Sequence, residues 1–155
     1  MNERTWWSTH VKPRWHQPAK RLVAWKVEDK FFSGMPDVDA MFDGVAAKIE
    51  LKYEPKWPGR PDTTLWFSYN NKDDKQKTIV SAIQHNYLTQ YKDAGGNAFV
   101  LIGVGKDWLL LEHGTFPNRP MTRAELEHAA RLFTTGNKTY ESLSNIPYFI
   151  RETYG

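Results

Sequence analysis

In the stretch "GMPDVDAMFDGVAAKIELKY", residues 34–53, two carboxylates and an ammonium, Asp37, Glu50 and Lys52, surround the dipeptide Asp43-Gly44. Both central positions of a type I′ hairpin turn need positive φ, which Asp-Gly tolerates, so the stretch reads as two strands joined by a two-residue turn. That turn sets a register: Phe42 opposite Val45, Asp39 opposite Lys48, Val38 opposite Ile49 and Asp37 opposite Glu50. Directly opposed side chains have Cβ atoms about 4.5–5.5 Å apart. Two carboxylates at that separation repel in a dry setting unless a proton or a cation lies between them. A magnesium ion suits the gap, because it takes oxygen ligands at about 2.0–2.1 Å, keeps several waters and binds through one or two carboxylates. The main-chain carbonyl of Leu51 is a third oxygen within reach. Lys52 lies two residues beyond Glu50 and shares its face of the strand, where an ammonium can contact a phosphate or orient an attacking water.

The opposite face explains why the register should hold. Val38, Ile49 and Leu51 alternate with the charged residues, so a slip of one residue would bury the charges and expose the apolar set. Each polar residue alone has an ordinary reading. Asp39 and Lys48 make a cross-strand ion pair, Asp37 after Pro36 is a turn former, and Glu50 with Lys52 is a solvated strand face. What points to chemistry is the joint placement, with Asp37 and Glu50 meeting across a register that the Asp-Gly turn sets independently.

The surrounding elements follow from periodicity. "RLVAWKVED" alternates as a strand with Val23, Trp25 and Val27 on one face and Glu28 near its end. "TIVSAIQHNYLTQYKDAGG" reads as a helix, with Ile79, Ile83, Tyr87 and Tyr91 recurring every fourth residue, Val80 and Leu88 widening the stripe, and Gly95-Gly96 ending it. "NAFVLIGVG" is a continuous apolar run bounded by Gly, as expected of a central strand buried on both faces, and "DWLLLEH" pairs with it through Gly105-Lys106-Asp107. "TRAELEHAARLF" opens with the capping-box pattern Thr122 to Glu125 and reads as a helix; "NKTYESLSNIPYFIRETY" reads as one or two more, interrupted before Pro147. The expected organisation is an N-terminal arm or short packed helix over 1–20, then one domain over 21–155. Within that domain lie a long loop at about 54–77, holding one strand, "TLWFSY", and C-terminal helices at about 122–155.

Composition narrows the class. One chain of 155 residues is long enough for one domain with a real core. Its net charge of +3 suits an anionic partner without implying one. With no Cys, disulfides and cysteine-ligated metal sites are excluded. No apolar run approaches the roughly 20 residues of a membrane span, and the first residues lack the apolar centre of a secretory signal, so a soluble, intracellular protein is expected. The five His have no metal-ligand spacing, "GVGKD" lacks the spacing of a phosphate-binding loop, and Ser68 and Ser81 lack a Gly-x-Ser-x-Gly context. Of seven Trp, Trp6, Trp7, Trp15, Trp57 and Trp66 fall in segments that also carry Lys, Arg or Pro. Each alone reads as packing; as a group they suggest platforms for unstacked bases.

Gly34-Met35-Pro36-Asp37, followed by Ile49-Glu50-Leu51-Lys52 and a helix carrying Gln84, resembles the motif of the PD-(D/E)XK nuclease superfamily, closest to its VRR-NUC-like and phage Holliday-junction-resolvase-like members. "YKDAGGNAFVLIGV" resembles the helix end and buried strand that follow the glutamine in such proteins, and the match covers roughly residues 21–113. The resemblance implies an α/β, restriction-endonuclease-like core of αβββαβ order with a mixed sheet, Mg²⁺ or Mn²⁺ as cofactor, and hydrolysis of DNA phosphodiesters in phage DNA processing, in the cytoplasm, that of the host if the chain is phage-encoded. RecU-type resolvases are similar in layout and many act as homodimers. On this reading Asp37, Glu50 and the Leu51 carbonyl hold metal, Lys52 positions water or phosphate, and Gln84 joins them; Glu28 resembles an upstream metal-site glutamate, though it could equally pair with Lys26 or Lys30. Lys56, Trp57, Arg60, Trp66 and Lys72 are the candidates for contact with the DNA backbone. Two rivals differ in class: a non-catalytic nucleic-acid-binding or assembly protein on the same fold, and an RNA-binding module built on the Trp-rich arm.

Overall fold

The computed structural model describes residues 1–28, 34–65 and 78–155. Its centre is a six-stranded mixed sheet of strand order β1-β2-β3-β4-β5-β6, made of β1 (Leu22–Lys26), β2 (Val38–Phe42), β3 (Val45–Glu54), β4 (Asn97–Val104), β5 (Asp107–Glu112) and β6 (Leu132–Thr134). β3 and β4 pair in parallel and every other neighbour is antiparallel. The parallel pair requires a crossover, which α3 (Ala82–Asp93) supplies. The chain is thus an α/β protein with helices on both faces of its sheet, and its elements run in the αβββαβ order from the N-terminal helix to β4.

The β2–β3 hairpin has the register read from the sequence: Val38 pairs with Ile49, Asp39 with Lys48 and Phe42 with Val45. Asp43 at φ 48° and Gly44 at φ 90° are the two left-handed residues of the turn. Val38, Ala40, Phe42, Ile49 and Leu51 are buried on one face, packed with Leu22 and Ala24 of β1 and with α5 (Asn145–Tyr154). On the other side of β4 and β5, Val100, Ile102, Leu109 and Leu111 form a second apolar layer with Leu88 of α3 and Leu126 of α4 (Arg123–Ala129).

Several expectations are met and others change. Of the two expectations for the first 20 residues, an arm or a short packed helix, the second holds: α1 (Glu3–Trp6), a π turn (Trp7–Val11) and α2 (Lys12–Trp15) run on from one another and bury Trp6, Trp7, Val11 and Trp15 in the first core layer. The helix expected from Thr78 starts at Ala82, and Ile79 and Val80 are buried before it. Ile83 is 54% exposed, so the four-residue repeat through it is not the buried stripe. The helix expected to run through Phe133 stops at Ala129, and Leu132–Thr134 instead pairs with β5, whose outer edge would otherwise be open. The break expected before Pro147 falls between a 3₁₀ turn (Glu141–Ser144) and α5, and Pro147 sits in the first turn of α5, where the missing N–H has no intrahelical role. The strand expected over "TLWFSY" lies mostly outside the described residues. Among the described residues no helix is long and apolar enough to cross a membrane.

Candidate active site

Extending the β2–β3 register by one step sets Asp37 opposite Glu50. Alternation then places Asp37, Glu50 and Lys52 on the face away from Val38, Ile49 and Leu51, beneath the first turn of α3. All three are buried: Asp37 is 8% exposed, Glu50 2% and Lys52 8%. A buried ion costs several kcal/mol unless it is paired and hydrogen-bonded, and here each has partners. Asp37 Oδ2 accepts from the Leu51 backbone N–H at 3.0 Å, so its carboxylate sits over the Glu50–Leu51 peptide. Lys52 Nζ is 3.9 Å from Glu50 Oε1.

Gln84 ties the two sides together. Its Nε2 donates to Glu50 Oε1 at 2.9 Å, and its Oε1 accepts from Lys52 Nζ at 3.4 Å and from the Ser81 backbone N–H at 2.9 Å. The Ser81 hydroxyl in turn accepts from the Gln84 backbone N–H at 3.2 Å, completing a capping box at the start of α3. One amide therefore serves as helix cap and as bridge between a buried carboxylate and a buried ammonium. Its orientation follows from the donors around it, since only Oε1 can face both Lys52 and Ser81. The sequence contained a signal for this: Ser81-x-x-Gln84 is a capping-box pattern as clear as Thr122-x-x-Glu125.

The donor set suits a hard divalent cation. Asp37 and Glu50 supply carboxylate oxygens, and the Leu51 carbonyl shares its side of β3 with the N–H that Asp37 accepts. Two carboxylates, a carbonyl and retained waters match what magnesium takes. Among the described residues no group of three His, Cys, Asp or Glu side chains converges on a metal-sized site, so protein ligation there would be sparse and completed by water.

Gly34 explains how the segment before Asp37 is held. Its φ is +81°, and a Cβ placed on it would meet the Ile83 carbonyl carbon and oxygen at 2.6 Å and the Ile83 Cγ2 at 2.4 Å. The backbone leading to Pro36-Asp37 thus presses on the first turn of α3, beside Gln84. Gly34→Ala is expected to lower stability by about 1–3 kcal/mol, from the left-handed φ and the collision with backbone. It should also separate Asp37 from Gln84, so that denaturant melts show the loss and any cleavage falls further than the folded fraction does.

The far end of α3 is fixed by His113, buried just past β5. Its Nε2 meets Thr89 Oγ1 at 2.8 Å, Lys92 donates to its main-chain carbonyl, and the His85 ring lies edge-on at 4.8 Å. Burial first, then the charges of His85 and Lys92, lower the His113 pKa to about 4, against a smaller opposing pull from Asp93. Below pH 6.5 the unfolded chain takes a proton that the folded ring resists. This contribution to stability is therefore whole above about pH 6.5 and is lost as the pH falls toward 4, by up to about 3 kcal/mol. Urea unfolding at pH 7.5 and pH 5 should show about 2 kcal/mol of that drop, and His113→Gln should shrink it.

The remaining candidates are placed differently. Glu28 lies exposed two residues beyond β1. Lys56 and Arg60 are exposed in the turns after β3. Trp57 is not a free platform: its Nε1 donates to Asp107 Oδ2 at 2.9 Å, the Arg123 guanidinium covers its ring at 4.7 Å, and it packs on the second core layer. Trp66 and Lys72 lie outside the described residues. Asp39 and Lys48 form the expected cross-strand pair at 3.2 Å.

No family model matches this sequence, and no curated protein matches it. Among solved structures, the chain is similar to a Holliday junction resolvase of the archaeal hyperthermophile Archaeoglobus fulgidus, at 17% identity and a TM-score of 0.45, over 69% of this chain and 79% of that one.

Proposed function

We propose that the chain is a metal-dependent endonuclease that hydrolyses DNA phosphodiester bonds, with branched DNA among its substrates. The observation that carries this reading is the cluster of buried Asp37, Glu50 and Lys52 on the inner face of the sheet, bridged by half-buried Gln84 of α3. A cluster serving stability alone could be replaced by packed apolar residues at little or no loss.

Asp37 and Glu50, with the Leu51 carbonyl, would hold Mg²⁺ or Mn²⁺. When bound, the cation supplies a water of lowered pKa and neutralises charge developing on the phosphate. Lys52 holds a positive charge beside Glu50, where it steadies a phosphate oxygen or the incoming water. Gln84 fixes the Glu50 carboxylate and limits how far Lys52 swings, so both groups are oriented before substrate arrives. The net charge of +3 favours a polyanion without steering it to one place.

The rival reading is a non-catalytic nucleic-acid-binding or assembly protein on the same fold, and it draws on the lack of a third acidic or imidazole ligand among the described residues. A cleavage assay in Mg²⁺ or Mn²⁺ on linear, flapped and four-way-junction DNA separates the two. Cation-dependent cleavage of any member supports the nuclease; binding without cleavage in either metal supports the rival.

A further inference from the structure

Trp25 is the tryptophan that stands exposed among the described residues, at 54%, while Trp6, Trp7, Trp15 and Trp108 are buried. Its face of the sheet is the face of the site. Trp25 pairs with Asp39 and Lys26 with Val38, and the Val27 backbone N–H donates to the Asp37 carbonyl at 2.7 Å. Alternation therefore sets the Trp25 side chain on the side of Asp39, Asp37 and Glu50, beyond the edge of α3. With strands about 4.8 Å apart and residues about 3.4 Å apart along them, its Cα is about 8 Å from that of Asp37 and about 12 Å from that of Glu50. At about 3.4 Å of rise per base step, that is roughly two to four bases from a phosphate at the site.

The ring is held as well as exposed. His16 packs edge-on against it, with ring centroids 5.6 Å apart, and His16 Nδ1 accepts from the Ala24 backbone N–H at 3.2 Å. That bond fixes the imidazole on the outer edge of β1, and the imidazole fixes the indole. Beside it, Met41 is 42% exposed opposite half-buried Val23, which extends the apolar surface. Asp39, directly across from Trp25, has its charge met by Lys48.

We propose that Trp25 stacks on an unpaired base of the strand being cleaved, so that the site takes DNA with an unstacked base near the scissile phosphate in preference to intact duplex. The inference rests on the nuclease reading for what happens after binding, but the stacking stands on geometry of its own. A base inside a duplex has both faces covered; a base in a flap or gap has a face to give. Aromatic stacking of this kind is sequence-tolerant, and its loss on truncation to Ala weakens binding roughly ten- to hundredfold.

The test compares the parent chain, Trp25→Ala and Trp25→Phe on a flapped DNA and an intact duplex of the same sequence, with 2-aminopurine placed two to four nucleotides from the junction. Binding is measured in EDTA, and cleavage separately in Mg²⁺. The parent is expected to quench 2-aminopurine and Trp25→Ala to lose that quench. The same variant should bind the flap about tenfold more weakly or worse and the duplex within about twofold of the parent, with Trp25→Phe between. In Mg²⁺ the loss should fall on KM for the flap rather than on kcat. Unchanged flap affinity, or a quench that survives in Trp25→Ala, overturns the proposal. So does a parent dimer that Trp25→Ala dissociates in sedimentation, since a second copy would then cover the ring. Trp25-dependent quenching without cleavage in Mg²⁺ or Mn²⁺ sinks the nuclease reading and leaves the platform; cleavage indifferent to Trp25 does the reverse. A parent that binds neither DNA ends both.

Discussion

Glu50→Gln is expected to fold like the parent, keep its affinity for DNA, and lose metal-dependent cleavage by at least about a hundred- to a thousandfold, the scale on which removing one group that stabilises transition-state charge acts. The substitution keeps the volume of the side chain and leaves an oxygen that can still accept from Gln84 Nε2, now at 2.9 Å from Glu50 Oε1. What it removes is the negative charge. With Asp37 left as the one carboxylate of the pair, a divalent ion loses half of its anionic ligation, and the water it would activate loses its place. Lys52→Met is the companion change. It keeps an apolar stem in a site where the lysine is 8% exposed, but leaves Glu50 without its cation at 3.9 Å, so some stability is lost along with activity. Circular dichroism and thermal melts of both variants separate loss of chemistry from loss of fold. Cleavage undiminished in both would remove Glu50 and Lys52 from the chemistry altogether.

The hairpin that carries this prediction was legible because one local rule fixed it. An Asp-Gly pair at the turn and a two-residue alternation on each side leave one register in which the apolar residues all face the core, and Val38, Ile49 and Leu51 are fully buried there. The apolar run of β4 marked a central strand covered on both faces, but its parallel pairing with β3 is a feature of the structure that no local pattern specified. Helix starts were harder. Ile79 and Val80 look helical by spacing yet are buried in the segment leading into α3, because burial fixes where they sit and not which dihedrals carry them there. The Ser81-to-Gln84 capping box marks the true start, and it also shows why Gln84 faces Glu50 when an apolar stripe through Ile83 would have turned it differently. Long-range demand decided the segment after α4. The Arg131 backbone N–H reaches the Leu110 carbonyl at 2.8 Å, and Leu132 pairs with Leu110, so an unpaired edge of β5 overrode a helical pattern. The tryptophans were least legible: of the four buried ones only Trp15 adjoins a Lys or Arg, as exposed Trp25 does, so neighbouring charge does not separate the cases, and strand alternation is what exposes Trp25.

Removing residues 1–20 is expected to abolish cooperative folding, whatever the chain binds. Trp6 stacks on Tyr53 of β3 at 5.2 Å between ring centroids, and fits against Gly103 of β4 so closely that a Cβ there would meet its ring at 2.4 Å. Trp15 meets Phe42 of β2 edge-on at 5.9 Å and donates its Nε1–H to the Leu143 carbonyl at 3.0 Å. With Trp7 and Val11 they cover the face of β2, β3 and β4 that α5 alone does not reach. Burying a large apolar side chain contributes about 1.5–3 kcal/mol, so losing four is comparable to the whole stability of a typical domain, about 5–15 kcal/mol. The truncated chain should show no sharp thermal transition and should bind a hydrophobic dye. Loss of nucleic-acid binding in it would then report an unfolded sheet rather than a missing RNA-binding arm, which is why Trp25→Ala, at an exposed position, is the sounder probe of aromatic recognition. A truncated chain that melts sharply within a few degrees of the parent would mean that the helical segment lies on the domain without belonging to its core.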